Sequence, residues 1–281
     1  MNKILFSVVT IFMFVICASS QSEEIKDKKE IRFGLLPYVS VTRLIKTFLP
    51  LKVYLERNTS YEVTFLTAPT FAKFVERTQS HQYDIVFTAP HFALLAVQMA
   101  DYGRLVRFSR ELAACVFVPR DSQAKSLMDL KGATISTPDS LAIVSVLGEA
   151  MLKNDKLQST VDVGFKRTPS HNNVIISVAN KSSEAGIVAS TVYEQFVSKG
   201  INKDKFTVLR CSEPVPTAMF LANKSMSGKD KEILMTALMG FSQSTDGKLF
   251  FKRTPFKGMK MIKDNDMKIL EKYMDELKAR L

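Results

Sequence analysis

Cysteine and histidine are scarce, with three of each in 281 residues. Beyond Cys17 the chain has Cys115 and Cys211, too few for a disulfide scaffold and without the spacing of zinc ligands. It has no Gly-x-Ser-x-Gly elbow, no His-Glu-x-x-His, no Cys-x-x-Cys and no phosphate-binding Gly-Lys-Ser loop. These gaps remove the usual signatures of α/β-hydrolases, zinc proteases, dithiol redox proteins and nucleotide-hydrolysing P-loops. His81, His91 and His171 have no carboxylate patterned beside them, so a serine–histidine hydrolase has little support. Nothing in the sequence implies a metal or cofactor.

A dense basic arm is also missing. The formal charge is +11, but its lysines and arginines are scattered. That pattern argues against nucleic acid as a partner and reads as a solvated basic surface able to steer an anion.

One long, largely apolar run is present, Ile4 to Cys17, preceded by Lys3 and followed by Ala18-Ser-Ser20. This is the pattern of a cleaved secretory signal peptide ending at Ser20, and the run is short for a transmembrane span. The residue before Cys17 is Ile16, not the small residue usual in lipoprotein signals. Cleavage removes Lys3 alone among charged residues, so +11 less one leaves +10. Export follows, and an oxidising compartment leaves two states open for Cys115 and Cys211: a bridge, or two buried thiols.

The rest of the chain reads as alternating strands and helices. A polar leader, residues 21–30, precedes a strand at Ile31–Leu36 that Pro37 stops. Helical spacing follows over Val41–Glu56, with Pro50 kinking or splitting it. A strand over Tyr61–Leu66 and a helix over Phe71–Thr78 come next. Tyr83-Asp-Ile-Val-Phe-Thr-Ala-Pro-His-Phe-Ala-Leu-Leu-Ala96 is then a buried strand, a polar join and an apolar helix. Such β-α order requires parallel pairing, and in open α/β sheets ligands bind beyond the carboxyl ends of strands. Thr88 and His91 are therefore candidate ligand contacts.

A connection through Leu105–Phe108 leads to a strand at Leu112–Val118. The alternation resumes at Ala133: a helix over Leu141–Lys153, a strand over Val161–Lys166, a helix over Asn173–Ala179, a strand over Ala185–Ala189 and a helix over Thr191–Lys199. Phe206–Cys211 is a further strand, and Val215–Ala222 reads as a connection back. Helices are expected at Lys229–Ser242 and Asp266–Leu281, the last with Met267, Leu270, Met274, Leu277 and Leu281 on one core-facing stripe. The expected fold is α/β: two mixed, mostly parallel sheets flanked by helices.

Several segments, in this order, carry a resemblance. They are Leu36-Pro-Tyr38, Tyr83–Pro90, Arg120-Asp-Ser122 with Ser126-Leu-Met-Asp-Leu-Lys-Gly132, Thr168-Pro-Ser-His-Asn-Asn-Val174, and Glu213-Pro-Val-Pro216. Together they resemble the periplasmic substrate-binding proteins of phosphate, phosphite and phosphonate ABC transporters, within the type II binding-protein fold. The resemblance implies two lobes, residues 31–111 with 214–281 and residues 112–213, with a cleft between them. It implies a small anion caught there by a monomer and handed to a membrane permease, or in related cases sensed by a membrane kinase.

The family holds its anion with strand-to-helix turns of the second lobe, where helix N–H groups and hydroxyls converge. Here that turn reads Thr137-Pro-Asp-Ser-Leu-Ala-Ile143. Ser140 is kept, as a ligand contact, a helix cap or both, but Leu141 and Ala142 replace expected hydroxyls. His171 matches the histidine of the next turn and can donate to an anion when protonated. The acidic residues that hold an aminoalkyl group in some members are absent from Ile187-Val-Ala-Ser190. Tyr38, after the first strand, can stack on a ligand or donate to it, and Arg110, near the first crossing, can reach the cleft with its fork of donors. In this fold the strands of Cys115 and Cys211 are expected to be neighbours, so that a bridge would pin the hinge end of the second lobe.

Overall fold

Strand and helix alternate from the first described residues: β1 (Lys29–Leu35), α1 (Val41–Asn58), β2 (Tyr61–Leu66), α2 (Phe71–Gln79), β3 (Ile85–Thr88) and α3 (Pro90–Ala100). The computed structural model describes residues 28–157, 162–198 and 205–281. The signal peptide, most of the leader, Val161 of the expected strand and Lys199 of the expected helix lie outside them. β1 starts two residues before Ile31, because Lys29 and Glu30 pair with Tyr61 and Glu62. Helix α1 runs through Pro50 unbroken, since Leu44, Phe48, Leu51 and Leu55 form one buried stripe that holds it to the sheet.

β4 (Gly103–Phe108), β12 (Met219–Ala222) and β13 (Met259–Met261) complete the first sheet, in the order β13-β4-β12-β3-β1-β2. β1 pairs in parallel with β2 and β3, whereas β12 runs antiparallel to β3 and β4. Two expected connections are thus strands. Both are short apolar runs, and Met219–Ala222 is buried throughout, as a central strand must be.

The chain leaves this sheet through β5 (Glu111–Leu112) and returns through β11 (Val215–Pro216), which pair as a two-stranded ribbon. Ala113 separates β5 from β6 (Ala114–Pro119), dividing the single strand expected there. The second sheet adds β7 (Thr134–Thr137), β8 (Gly164–Arg167), β9 (Ala185–Ala189) and β10 (Phe206–Cys211), in the order β10-β6-β9-β7-β8. α4 (Ile143–Asn154), α5 (His171–Ala179) and α6 (Ser190–Ser198) flank it. At Gly186 of β9 a Cβ would stand 2.6 Å from the Phe117 ring, so only glycine fits there.

Cys115 and Cys211 are directly opposed across β6 and β10 with Cα atoms 4.0 Å apart, and they are bridged. The main apolar core continues through both lobes, while a second cluster gathers on the other face of the second sheet around Phe117, Val174 and Phe206.

α7 (Gly228–Phe241), α8 (Thr245–Arg253), α9 (Asp264–Glu271) and α10 (Met274–Arg280) follow the return. The expected terminal helix is therefore two, with turns at Lys272 and Tyr273 between them. Met267, Leu270, Met274 and Leu277 are buried as expected, but Leu281 is exposed, because α10 ends at Arg280.

Candidate functional site

At the first join, β3 buries Thr88 and Pro90 opens α3 with its ring at a position whose N–H would have no helical partner. His91, one residue on, is fully buried. Its Nε2 lies 2.9 Å from the Leu141 carbonyl oxygen, in the other lobe. A carbonyl only accepts, so the ring proton is on Nε2 and Nδ1 offers a lone pair. Burial lowers the His91 pKa to about 4, outweighing the carbonyl, and the imidazole is neutral at physiological pH. Nδ1 of His91 and Oγ1 of Thr88 are buried with no hydrogen-bond partner. Thr88 also lines a cavity of about 10 Å3 with Phe74 and Phe92, room for about one water molecule.

The facing join links β7 to α4. Asp139 Oδ1 accepts the Leu141 N–H at 2.8 Å, an Asx turn that lifts the chain toward the first lobe. Thr137 Oγ1 and Ser145 Oγ are 2.7 Å apart, tying the strand end to the first turn of the helix. Leu141 is buried against the seam, which is why its carbonyl reaches His91. Ser140 does not cap α4: the helix starts at Ile143 and Ala142 is the cap residue. The Ser140 carbonyl instead accepts from Arg280 Nη1 at 2.7 Å.

β8 is the parallel neighbour of β7, so its join to α5 opens on the same edge. The Thr168 N–H donates to Thr137 O at 2.9 Å, linking the two turns. Ser170 caps α5 by accepting the Asn173 N–H, and His171 is its first residue. Nδ1 of His171 is buried without a partner, and burial lowers its pKa to about 4. At neutral pH any donor role of His171 rests on the N–H of the uncharged ring.

Tyr38 lies at the seam end of β1, its ring edge-on to Phe87 at 6.1 Å and Phe256 at 6.3 Å. Arg110 sits at the first crossing and pairs with Glu194 of α6. His91, Ser140 and Leu141 are thus gathered at one seam, with His171 on the adjoining turn, whereas the Thr88 side chain faces a cavity between α2 and α3 inside the first lobe. Two residues went unremarked in the sequence. Asp139 is legible there, since Pro-Asp-Ser before a helix is an Asx-turn pattern. Arg280 is not, because Glu149 and Ser140, its partners in the second lobe, lie far away in sequence.

A family model described as the periplasmic substrate-binding protein of phosphonate ABC transporters matches residues 33–267. The chain belongs to that family. It is a binding protein, not an enzyme, and among the described residues no helix is long and apolar enough to cross a membrane.

Solved structures share this binding protein's two-lobed type II fold. The XAC2383 protein of Xanthomonas citri bound to ATP aligns at 16% identity, covering 90% of this chain and 99% of its own, with a TM-score of 0.78. PhnD1 of Prochlorococcus marinus in complex with methylphosphonate aligns at 14% identity over 89% and 99%, with a TM-score of 0.76. A phosphonate-transporter binding component of Pseudomonas aeruginosa gives 16%, 90% and 98%, with a TM-score of 0.65. At such identities the shared property is the fold.

Proposed function

We propose that this protein captures a small oxyanion between its lobes and delivers it to an ABC transporter, after export and cleavage at Ser20. The lobes are residues 31–111 with 214–281 and residues 112–213, hinged at the β5–β11 ribbon. One observation carries the reading: the bond from His91 to Leu141 O brings the N-terminal ends of α3 and α4 together. α5 starts on the same edge. Three helix starts directed at one seam give a locally positive, donor-rich site suited to an anion.

Tyr38, Ser140 and His171 are the proposed contacts, with Arg110 at the hinge; His91, neutral and with its one N–H on Leu141 O, holds the facing turn in place without touching the anion, and Thr88 lies behind it in the first lobe. Leu141 and Ala142 offer no hydroxyls, and each ligand oxygen left without a donor costs about 1–3 kcal/mol. The preferred ligand therefore asks less of the second-lobe turn than a fully coordinated phosphonate. The neighbours of this fold that hold methylphosphonate and ATP support a ligand carrying phosphonate or phosphate oxygens.

Thermal unfolding of residues 21–281 against phosphate, phosphite, methylphosphonate, sulfate and small organic acids tests this. A ligand at about 100 times its Kd adds about 2.7 kcal/mol and raises the midpoint by several degrees. The expected result is a shift with one anion that Ser140→Ala or His171→Ala removes. No shift with any of them overturns the anion site.

A further inference from the structure

The C-terminal segment is anchored on both sides of the seam. α9 is fixed to the first lobe, where Asp266 takes the buried Arg107 guanidinium at 2.7 Å and Asp264 pairs with Arg104. After the turns at Lys272 and Tyr273 the chain re-enters a helix, and α10 packs on α3 with Met274 and Leu277 buried. Its last residue then reaches into the second lobe. Arg280 Nη2 is 3.0 Å from Glu149 Oε2 on α4, and Nη1 donates to Ser140 O. Both side chains are nearly buried, at 12% and 9% exposure. Glu149 also pairs with Arg167 of β8 at 2.6 Å, and Glu276 of α10 steadies the Arg280 guanidinium at 3.1 Å. A second tie, Lys272 to Glu213 at 2.5 Å, crosses near the return strand.

We propose that α10 is a latch between the lobes and that Arg280 is a positioning residue for the binding turn. Opening the cleft must part His91 from Leu141. If α10 stays on α3, it must also pull Arg280 out of a nearly buried carboxylate pair and off the Ser140 carbonyl. Parting Arg280 from Glu149 leaves Glu149 to Arg167 and Arg280 to Glu276, so opening gives up the nearly buried Arg280–Glu149 pair and the bond to Ser140 O without a replacement. Arg280 thus biases the protein toward closure, and through Ser140 O it fixes the orientation of residues 138–142. This device concerns lobe motion itself and does not depend on which anion is bound.

The test uses ligand-free protein of residues 21–281 carrying spin labels at Gln79→Cys in the first lobe and Asn180→Cys in the second. Both positions are exposed, and the native cysteines are bridged. Inter-label distances are read by pulsed electron paramagnetic resonance. Arg280→Ala and the isosteric Glu149→Gln are expected to raise the ratio of long to short distances by about tenfold, the scale of a lost charge-assisted bond. Arg280→Lys restores it in part, which loss of packing alone does not predict. Should Arg280→Ala fold poorly, Glu149→Gln carries the test. An unchanged distance distribution in Glu149→Gln overturns the latch, whatever happens to the melting temperature. Anion binding is read separately, so the two proposals fail independently.

Discussion

In the first lobe Phe87 meets Phe48, Phe108, Phe220 and Phe256 at ring distances between 4.6 and 5.9 Å, and Phe241 and Phe250 extend the group. In the second lobe the comparable group is Phe117 with Tyr193 and Phe206, and a covalent bridge joins β6 to β10. Similar β-α plans are thus held by different means. A sheet that buries a large aromatic cluster gains enough from area alone, whereas one with fewer aromatics gains from a crosslink that narrows the unfolded ensemble.

The sharpest way to break this contrast is Phe87→Ala, expected to cost about 3–5 kcal/mol in urea unfolding by emptying the centre of the first-lobe cluster. Next is removal of the bridge by Cys115→Ala with Cys211→Ala, which closes a loop of sequence separation 96. It should cost about 2–4 kcal/mol and fall on the second lobe, turning a single unfolding transition into two. A single transition of unchanged midpoint would remove the covalent half of the contrast.

Acid probes what the lobes have in common, since each carries a histidine, His91 fully buried and His171 partly so, whose pKa desolvation lowers to about 4. A depressed histidine pKa means that the unfolded chain binds the proton more readily. Stability is therefore full above about pH 6.5 and is lost as pH falls toward 4. For fully buried His91 the loss is about 3 kcal/mol over that window. His91→Gln keeps a donor toward Leu141 O but does not titrate, so its stability should fall less between pH 6.5 and 4. An equal fall would remove His91 as the source. The smallest effect expected is for Ser170→Ala, which deletes the cap of α5 and should cost about 1 kcal/mol in the second lobe. α3 in the first lobe starts without a side-chain cap and has no equivalent loss.

Much of this was legible in the residues. Apolar periodicity marked α1, α2, β2, β3 and β9 to within a few positions, because a buried stripe or run is a local property of the chain. The join at Thr88–His91 was legible for the same reason, as a buried strand ending in polar residues before an apolar helix. Met219–Ala222 passed as a connection because four apolar residues soon after Pro216 carry too little pattern to mark a central strand. The break at Lys272–Tyr273 was hidden because Met267, Leu270, Met274 and Leu277 fit one continuous helical stripe equally well.

The sequence by itself determined the alternation of elements, the family, and the loss of hydroxyls at Leu141 and Ala142. Tertiary structure alone decided that Cys115 meets Cys211, that His91 is neutral and bonded to Leu141, and that Arg280 reaches Glu149 and Ser140. The physical reason is distance along the chain. A pattern of burial repeats within a few residues and can be read locally, whereas a pairing between remote residues, and the desolvation that shifts a pKa, exists only once the sheets and helices have packed.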